Sequence, residues 1–272
     1  MYKPLGMTAM PPEMREDRGE IEAALKKKLP RLVELGDIKG DLYMHSNWSD
    51  GASEIEDMVA AAKTRGMEYV VLTDHSQSLK IANGLSPARL ARQIEKVKEL
   101  NAKLKGITVL TGSEVDILED GSLDFADDIL KRLDFVVASV HSRFKDTKAQ
   151  MTRRIVRAMR NKHVRLIGHP TGRRMGIRPP YDVDMAELFK AARDTNTAME
   201  INGSAERMDL NAAHAREARE KGVHLTVDSD SHRPDEFKNL EYGVATARRA
   251  WCAKEDILNC FPLEEFRKKI VK

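Results

Sequence analysis

Cysteine is nearly absent. The 272 residues contain only Cys252 and Cys260, close to the C-terminal end, and no other cysteine or histidine lies near enough in sequence to complete a zinc-finger spacing with them. A reducing cytoplasm is the simple reading of that scarcity. Long hydrophobic runs are also missing: no stretch approaches a membrane span, and residues 1–20 lack the apolar segment of a signal peptide. Neither sign of charge dominates, because 46 Lys and Arg face 43 Asp and Glu for a formal charge of +3. Such a balance permits an anionic partner, nucleic acid included, without implying a strong basic field. No low-complexity linker interrupts the chain after Gly40. With 41% hydrophobic residues it is long enough to bury a full core, as one large domain or one domain with an extension.

What the sequence does contain is alternation. Seven short apolar runs read as strands: DLYMH, EYVVLTDH, ITVLTGSE, DFVVASVH, VRLIGHP, TAMEIN and VHLTVDSDSH. Between them lie helical patterns such as SEIEDMVAAAKTRG, SPARLARQIEKVKELNAKL, TKAQMTRRIVRAMRN, DMAELFKAARDT and DLNAAHAREAREKG, several opening on Ser or Asp caps and some closing on Gly. Strand then helix, repeated with near-continuous apolar strands, predicts an α/β fold with a parallel sheet, and this many units predicts closure into a barrel.

Polar residues fall at one end of these strands. His45, His75, Glu114, His141, His169, Asp230 and His232 each sit at or just past the C-terminal end of a predicted strand, where side chains from separate strands of a β/α barrel converge. Any one of these histidines alone would be an ordinary strand-end residue; the repetition carries the inference. So many imidazoles and carboxylates in one concavity would compete for hydrogen bonds and perturb one another unless cations held them. Mixed His and carboxylate ligation without thiolates suits Zn²⁺, Mn²⁺ or Fe²⁺, and Glu114 is placed to bridge two ions. Hydrolysis of a phosphoryl group is the chemistry this supports. Asp50, in the turn signal SDG, is ambiguous by spacing. Asp74 reads as an orienting group or helix cap, and Glu200 and Asn202 as rim residues near ligands or substrate. His163, His214 and His224 read as structural or surface histidines. Arg143, Arg173, Arg174 and Arg178 follow strand-end ligands in SVHSR and GHPTGRRMGIR and are predicted to stand around the mouth and clamp phosphates.

The ordered series YMH, SDG, TDHS, GSEVDI, SVHS, GHPTG and DSDSH closely resembles the PHP (polymerase and histidinol phosphatase) domain, in the version found at the C-terminus of bacterial and archaeal family X DNA polymerases. The upstream stretch from Tyr2 to Leu42 resembles the segment joining polymerase thumb to PHP domain, so the resemblance covers essentially the whole chain, without a polymerase domain. It implies a distorted (β/α)7 barrel of the PHP type with a short N-terminal extension, divided as 1–36 and 37–272. It also implies two or three divalent ions, Mn²⁺ or Zn²⁺ with Fe²⁺ as a further candidate. Position by position, Tyr43 and His45 would share one ion with Glu114 and Asp230. Glu114, His141 and His169 would hold a second, and Asp50, His75 and His232 a third, which makes Asp50 a ligand. The catalytic role is expected of Glu114, His141 and Asp230, and substrate contact of the four arginines and Asn202. The implied reaction is metal-dependent phosphoester hydrolysis on DNA 3′ ends or damaged DNA, chiefly 3′-to-5′ exonuclease action, with apurinic-site cleavage and phosphatase activity alongside.

Tyr43 departs from the family pattern, which has histidine there. A neutral imidazole offers a lone pair at pH 7, whereas a phenol must first lose a proton. A natural variant of reduced activity, an engineered substitution and a site working with two firmly held ions all remain open. So do two other functions: a small-metabolite phosphatase similar to histidinol phosphatase, and an inactive metal-stabilised scaffold for a polymerase.

Overall fold

The structure is a computed structural model that describes residues 2–270; the outermost ends of the two expected segments, at 1 and 271–272, lie outside them. Seven strands form one sheet: β1 (Gly40–Met44), β2 (Tyr69–Leu72), β3 (Thr108–Asp116), β4 (Phe135–Ser139), β5 (Val164–Ile167), β6 (Ala198–Asn202) and β7 (Leu225–Asp228). Their order in space is their order in sequence, and every pairing is parallel. Between β1 and β7 the ring closes through a parallel bridge from Met44 to Ser231, with the His45 amide donating to the Ser231 carbonyl at 2.8 Å. This is the expected distorted (β/α)7 barrel. Several expected strand ends move: β3 runs two residues past Glu114 to Asp116, because it continues pairing with β4 there, while β2, β4, β5 and β7 stop two to four residues before the expected His75, His141, Pro170 and His232.

The helices are α1 (Glu20–Leu25), α2 (Ile55–Thr64), α3 (Pro87–Asn101), α4 (Asp127–Leu130), α5 (Lys148–Met159), α6 (Met185–Asp194), α7 (Ala212–Glu220), α8 (Leu240–Arg249) and α9 (Leu263–Lys269). Local chemistry sets several starts. Ser86 accepts from the Arg89 amide ahead of Pro87, Thr147 and Gln150 form a reciprocal capping box, and Asp184 accepts from the Glu187 amide. The cap of α7 is Asn211, not the Asp209 that opens the predicted pattern, and α2 starts after Glu54 with no side-chain cap.

One apolar core lies between strands and helices, and a second fills the barrel. Phe266 of α9 plugs the N-terminal end: its ring stacks on Tyr69 at 5.0 Å and tilts against Phe135 at 5.8 Å. Hydrocarbon fills that end, and the strand-end histidines lie at the other. The N-terminal extension is docked along α8. Met14 packs with Leu32 and Trp251, Arg248 pairs with Glu13 at 2.7 Å, and the Val33 amide donates to the Cys252 carbonyl.

Both cysteines are free and buried, and burial pushes their thiols up to about 12. At pH 8 such a thiol is ionised to about one part in ten thousand, and the thiolate is the reactive form. The native protein is therefore expected to leave both thiols unmodified by a chromogenic disulfide reagent at pH 8 and to release two equivalents on unfolding. Rapid labelling of the folded chain would contradict this packing.

Candidate metal centre at the C-terminal rim

The side chains predicted to converge do so. Glu114 is the hub. Its Oε2 stands 2.8 Å from His75 Nδ1 and 3.7 Å from His45 Nε2, and its Oε1 stands 3.1 Å from His141 Nε2 and 3.0 Å from His169 Nε2. Asp50 forms a second junction, with His232 Nε2 at 3.4 Å, His75 Nε2 at 3.5 Å and His45 Nδ1 at 3.8 Å. Asp230 Oδ1 is 3.4 Å from His45 Nε2. Six separate strand ends or strand-following loops supply these groups, so only barrel closure makes them neighbours.

The donor set fits divalent cations. Both ring nitrogens of His45 and Nδ1 of His169 are buried without a hydrogen-bond partner, a costly arrangement for neutral imidazoles. One ligand atom from each of His45, Asp50, His75 and His232 lies within 4.8 Å of the others, and the same holds for His75, Glu114 and His141. Two ligands about 2.1 Å from a tetrahedral ion stand roughly 3.4 Å apart, the spacing seen around Asp50 and Asp230. Backbone strain is stored here too: His169 and Asp230 have left-handed φ values of 29° and 53°, each costing on the order of 1–3 kcal/mol.

Charge in the ring is strongly redistributed. Burial opposes ionisation of Glu114, yet the imidazoles of His75 and His141 hold its carboxyl well below the usual range. Burial likewise opposes the charged form of His232, but its bond to Asp50 and the nearby Asp230 lift it to about 9. His169 is pushed down to about 4 by burial and by the charge of Arg207.

Supporting residues fix the candidate ligands. Asp116 Oδ1 lies 2.6 Å from His141 Nδ1 and its Oδ2 accepts from Ser78, which sets the ring's orientation. The sequence held a signal for it: Asp116 follows Glu114 by two residues, hence on the same face of β3. Asp74 touches no ligand ring. It accepts from the Ser46 amide and hydroxyl, Ser49 and Gln93, and so pins the loop that carries Asp50. Asn202 donates to Asp230 Oδ2 at 3.0 Å and faces that ligand, where substrate contact had been expected.

Tyr43 is fully buried in β1, where pairing with β2 shifts register between Asp41 and Met44. Its hydroxyl lies 3.2 Å from Ser139 Oγ and 3.3 Å from His169 Nε2. Burial, with Glu114 and Asp230 nearby, pushes the phenol well above its ordinary range, so it stays protonated.

The ring opens into a cleft of about 630 Å³ lined by Arg174, Arg178, Arg207, Arg233 and Lys238 among others. Two expected phosphate clamps lie elsewhere. Arg173 directs Nε and Nη2 to the carbonyls of Arg207 and Met208, and Arg143 pairs with Glu119 and Asp146. Arg174 pairs with Glu206, and Arg178 bonds to the Gly172 carbonyl and lies 3.5 Å over the Phe144 ring. Arg207 was not singled out from sequence. Its Nε donates to Asp230 Oδ2 at 3.2 Å, and its buried Nη1 has no partner. Lying in a loop five residues past β6, it has no periodic signal.

Removing bound ions is expected to lower thermal stability, because a ligand of the native state alone contributes RT ln(1 + [L]/Kd), about 2.7 kcal/mol at a hundred times Kd. A chelator should lower Tm by about 5–10 °C, and added Mn²⁺ or Zn²⁺ should restore it. A Tm indifferent to both would count against a populated site.

Comparison with known proteins agrees with this geometry. A sequence profile described as "PHP domain" matches residues 41–204. A Bacillus subtilis (strain 168) protein named "DNA polymerase/3'-5' exonuclease PolX" is 42% identical over 264 residues, 97% of this chain; the chain spans 46% of that protein's length. A "Probable phosphatase" of Thermoanaerobacter sp. (strain X514) is 29% identical over 230 residues, covering 80% of this chain and 89% of its own. Among solved structures, histidinol phosphate phosphatase of Lactococcus lactis, complexed with zinc, L-histidinol and phosphate, superposes with a TM-score of 0.54 at 19% identity. That match covers 77% of this chain and 93% of the other, and it bears on the fold alone.

Proposed function

The chain belongs to the PHP domain family of metal-dependent phosphoesterases, and from that premise we propose that it hydrolyses DNA phosphodiesters from 3′ ends, as a 3′-to-5′ exonuclease in DNA repair. The observation that carries this reading is the 42% identity to the exonuclease-named relative over 97% of this chain, well beyond residues 41–204. Arg207 at the ring and Arg178 farther along the cleft would meet phosphates, while Arg174, Arg233 and Lys238 are paired with Glu206, Asp235 and Glu236 of the same cleft.

His45, Asp50, His75, Glu114, His141, His169, Asp230 and His232 would hold two or three divalent ions, Mn²⁺ or Zn²⁺. The chemistry such ions supply is acidification of a water and neutralisation of charge on phosphoryl oxygens. Glu114 and Asp230 keep their carboxylates ionised for ligation, Asp116 holds the His141 ring in register, and Asn202 fixes Asp230. Arg207 donates Nε to Asp230 and lines the cleft, where its guanidinium would clamp a nonbridging phosphoryl oxygen. The buried free thiols agree with a reducing cytoplasm, and no helix among the described residues is long and apolar enough to cross a membrane. A family X polymerase domain, on the same polypeptide or another, is the expected partner.

Release of mononucleotides from a 3′-labelled strand with and without Mn²⁺ tests the reading, beside turnover of a small phosphomonoester. Metal-dependent release from DNA is the expected result. Faster monoester turnover would favour a metabolite phosphatase, the second reading, which the phosphatase-named relative supports. No turnover of either would favour the inactive scaffold. Arg207→Ala is expected to reduce kcat/KM about thirtyfold, the scale of a charge-assisted hydrogen bond, while metal content stays constant; unchanged kinetics would remove it from the substrate site.

A further inference from the structure

Loop 173–178, RRMGIR, carries two large apolar side chains where burial or polarity would be ordinary. Ile177 is 64% exposed and Met175 is 43% exposed, and both stand between Arg174 and Arg178, which line the metal cleft. The segment is a closed hairpin. The Arg174 amide donates to the Arg178 carbonyl at 2.9 Å and the Arg178 amide to the Arg174 carbonyl at 2.7 Å. Gly176 turns the tip with φ +73°, and the space beside its Cα is open. The hairpin is also braced from behind: the Met175 amide donates to the Glu206 carbonyl at 2.6 Å, Arg174 pairs with Glu206, and Arg173 ties to the carbonyls of Arg207 and Met208. A floppy polar loop would need none of this.

Single exposed apolar residues are common. A rigid apolar tip flanked by arginines at the mouth of a phosphodiester site is a different object. Apolar wedges between base steps, with cations on the neighbouring phosphates, are how proteins unstack DNA, and the flanking Arg178, which has no acidic partner among the described ion pairs, supplies matching charge while Arg174 is held by Glu206. A 3′ end inside a duplex must leave its partner to enter a cleft whose ligand ring is buried. Resting on the DNA reading above, we propose that the Met175–Ile177 tip is a strand-parting wedge, which packs on the terminal base pair of duplex DNA and frees the 3′ nucleotide for the metal centre.

The double variant Met175→Ser, Ile177→Ser tests this, since both positions are exposed and the hairpin's backbone bonds remain. The full chain with Mn²⁺ is assayed on a single strand, on a blunt duplex, and on the same duplex with two mismatched terminal pairs. The variant is expected to lose about tenfold on the blunt duplex, the scale of one apolar side chain's burial, and to stay within twofold on the other two. A second readout needs no turnover: 2-aminopurine at the 3′-terminal pair should brighten several-fold when wild type binds and stay dim with the variant. Equal loss on all three substrates, no loss on the blunt duplex, or wild-type binding without brightening would overturn the wedge and leave the DNA reading standing. Wild type that neither binds nor cleaves any of the three DNAs would overturn the DNA reading, and the wedge with it.

Discussion

Replacing Tyr43 by histidine is expected to raise metal affinity and to accelerate phosphodiester hydrolysis by about ten- to a thousandfold. The phenol stands among the candidate ligands. It is fully buried, its hydroxyl meets His169 Nε2 and Ser139, and burial beside Glu114, Asp230 and Glu200 holds its proton firmly. An imidazole there would offer a lone pair that need not be ionised first. It would also free His169 Nε2, which already lies 3.0 Å from Glu114. Elemental analysis after dialysis and initial rates on labelled DNA measure the two effects. Equal activity in both forms would mean that the site works without a ligand at position 43. A fall would mean that the phenol itself acts, as a proton donor to the leaving oxygen.

Glu114→Gln should do the opposite, and on a similar scale. Four imidazoles lie within 3.7 Å of this one carboxylate, so an amide, with one acceptor oxygen and no charge, leaves several groups without their common partner. Activity is expected to fall about a thousandfold or more and bound metal to fall with it. The chelated protein should also lose stability, by about 3 kcal/mol, because removing one member of a buried charge cluster strands the rest. Retention of metal and of activity within tenfold would deny Glu114 its central place. Circular dichroism separates loss of ligation from loss of fold, since the variant barrel should keep its secondary structure.

Strand-end position was the legible signal. His45, His75, His141 and His169 each follow an apolar run, and a parallel α/β barrel has only one rim on which such positions can meet. Asp116 was within reach of the same logic, since period two places it beside Glu114. Arg207 and the orientation of Arg173 were not. Both lie in loops after β5 and β6, where no periodicity fixes direction, and which guanidinium faced the cleft depended on which carbonyls the neighbouring loop left free.

The sequence by itself determined the element order, the barrel and the set of groups able to ligate metal, because those follow from periodicities of two and 3.6 and from side-chain chemistry, which are local properties. Tertiary structure alone decided which ligand meets which. Glu114 became the hub, Asp50 joined through a loop pinned by Asp74, and Asn202 turned to Asp230. Closure of the ring between Met44 and Ser231 set those distances. Separations of three or four ångströms between residues a hundred positions apart arise from packing of the whole barrel, and no local pattern in the chain encodes them.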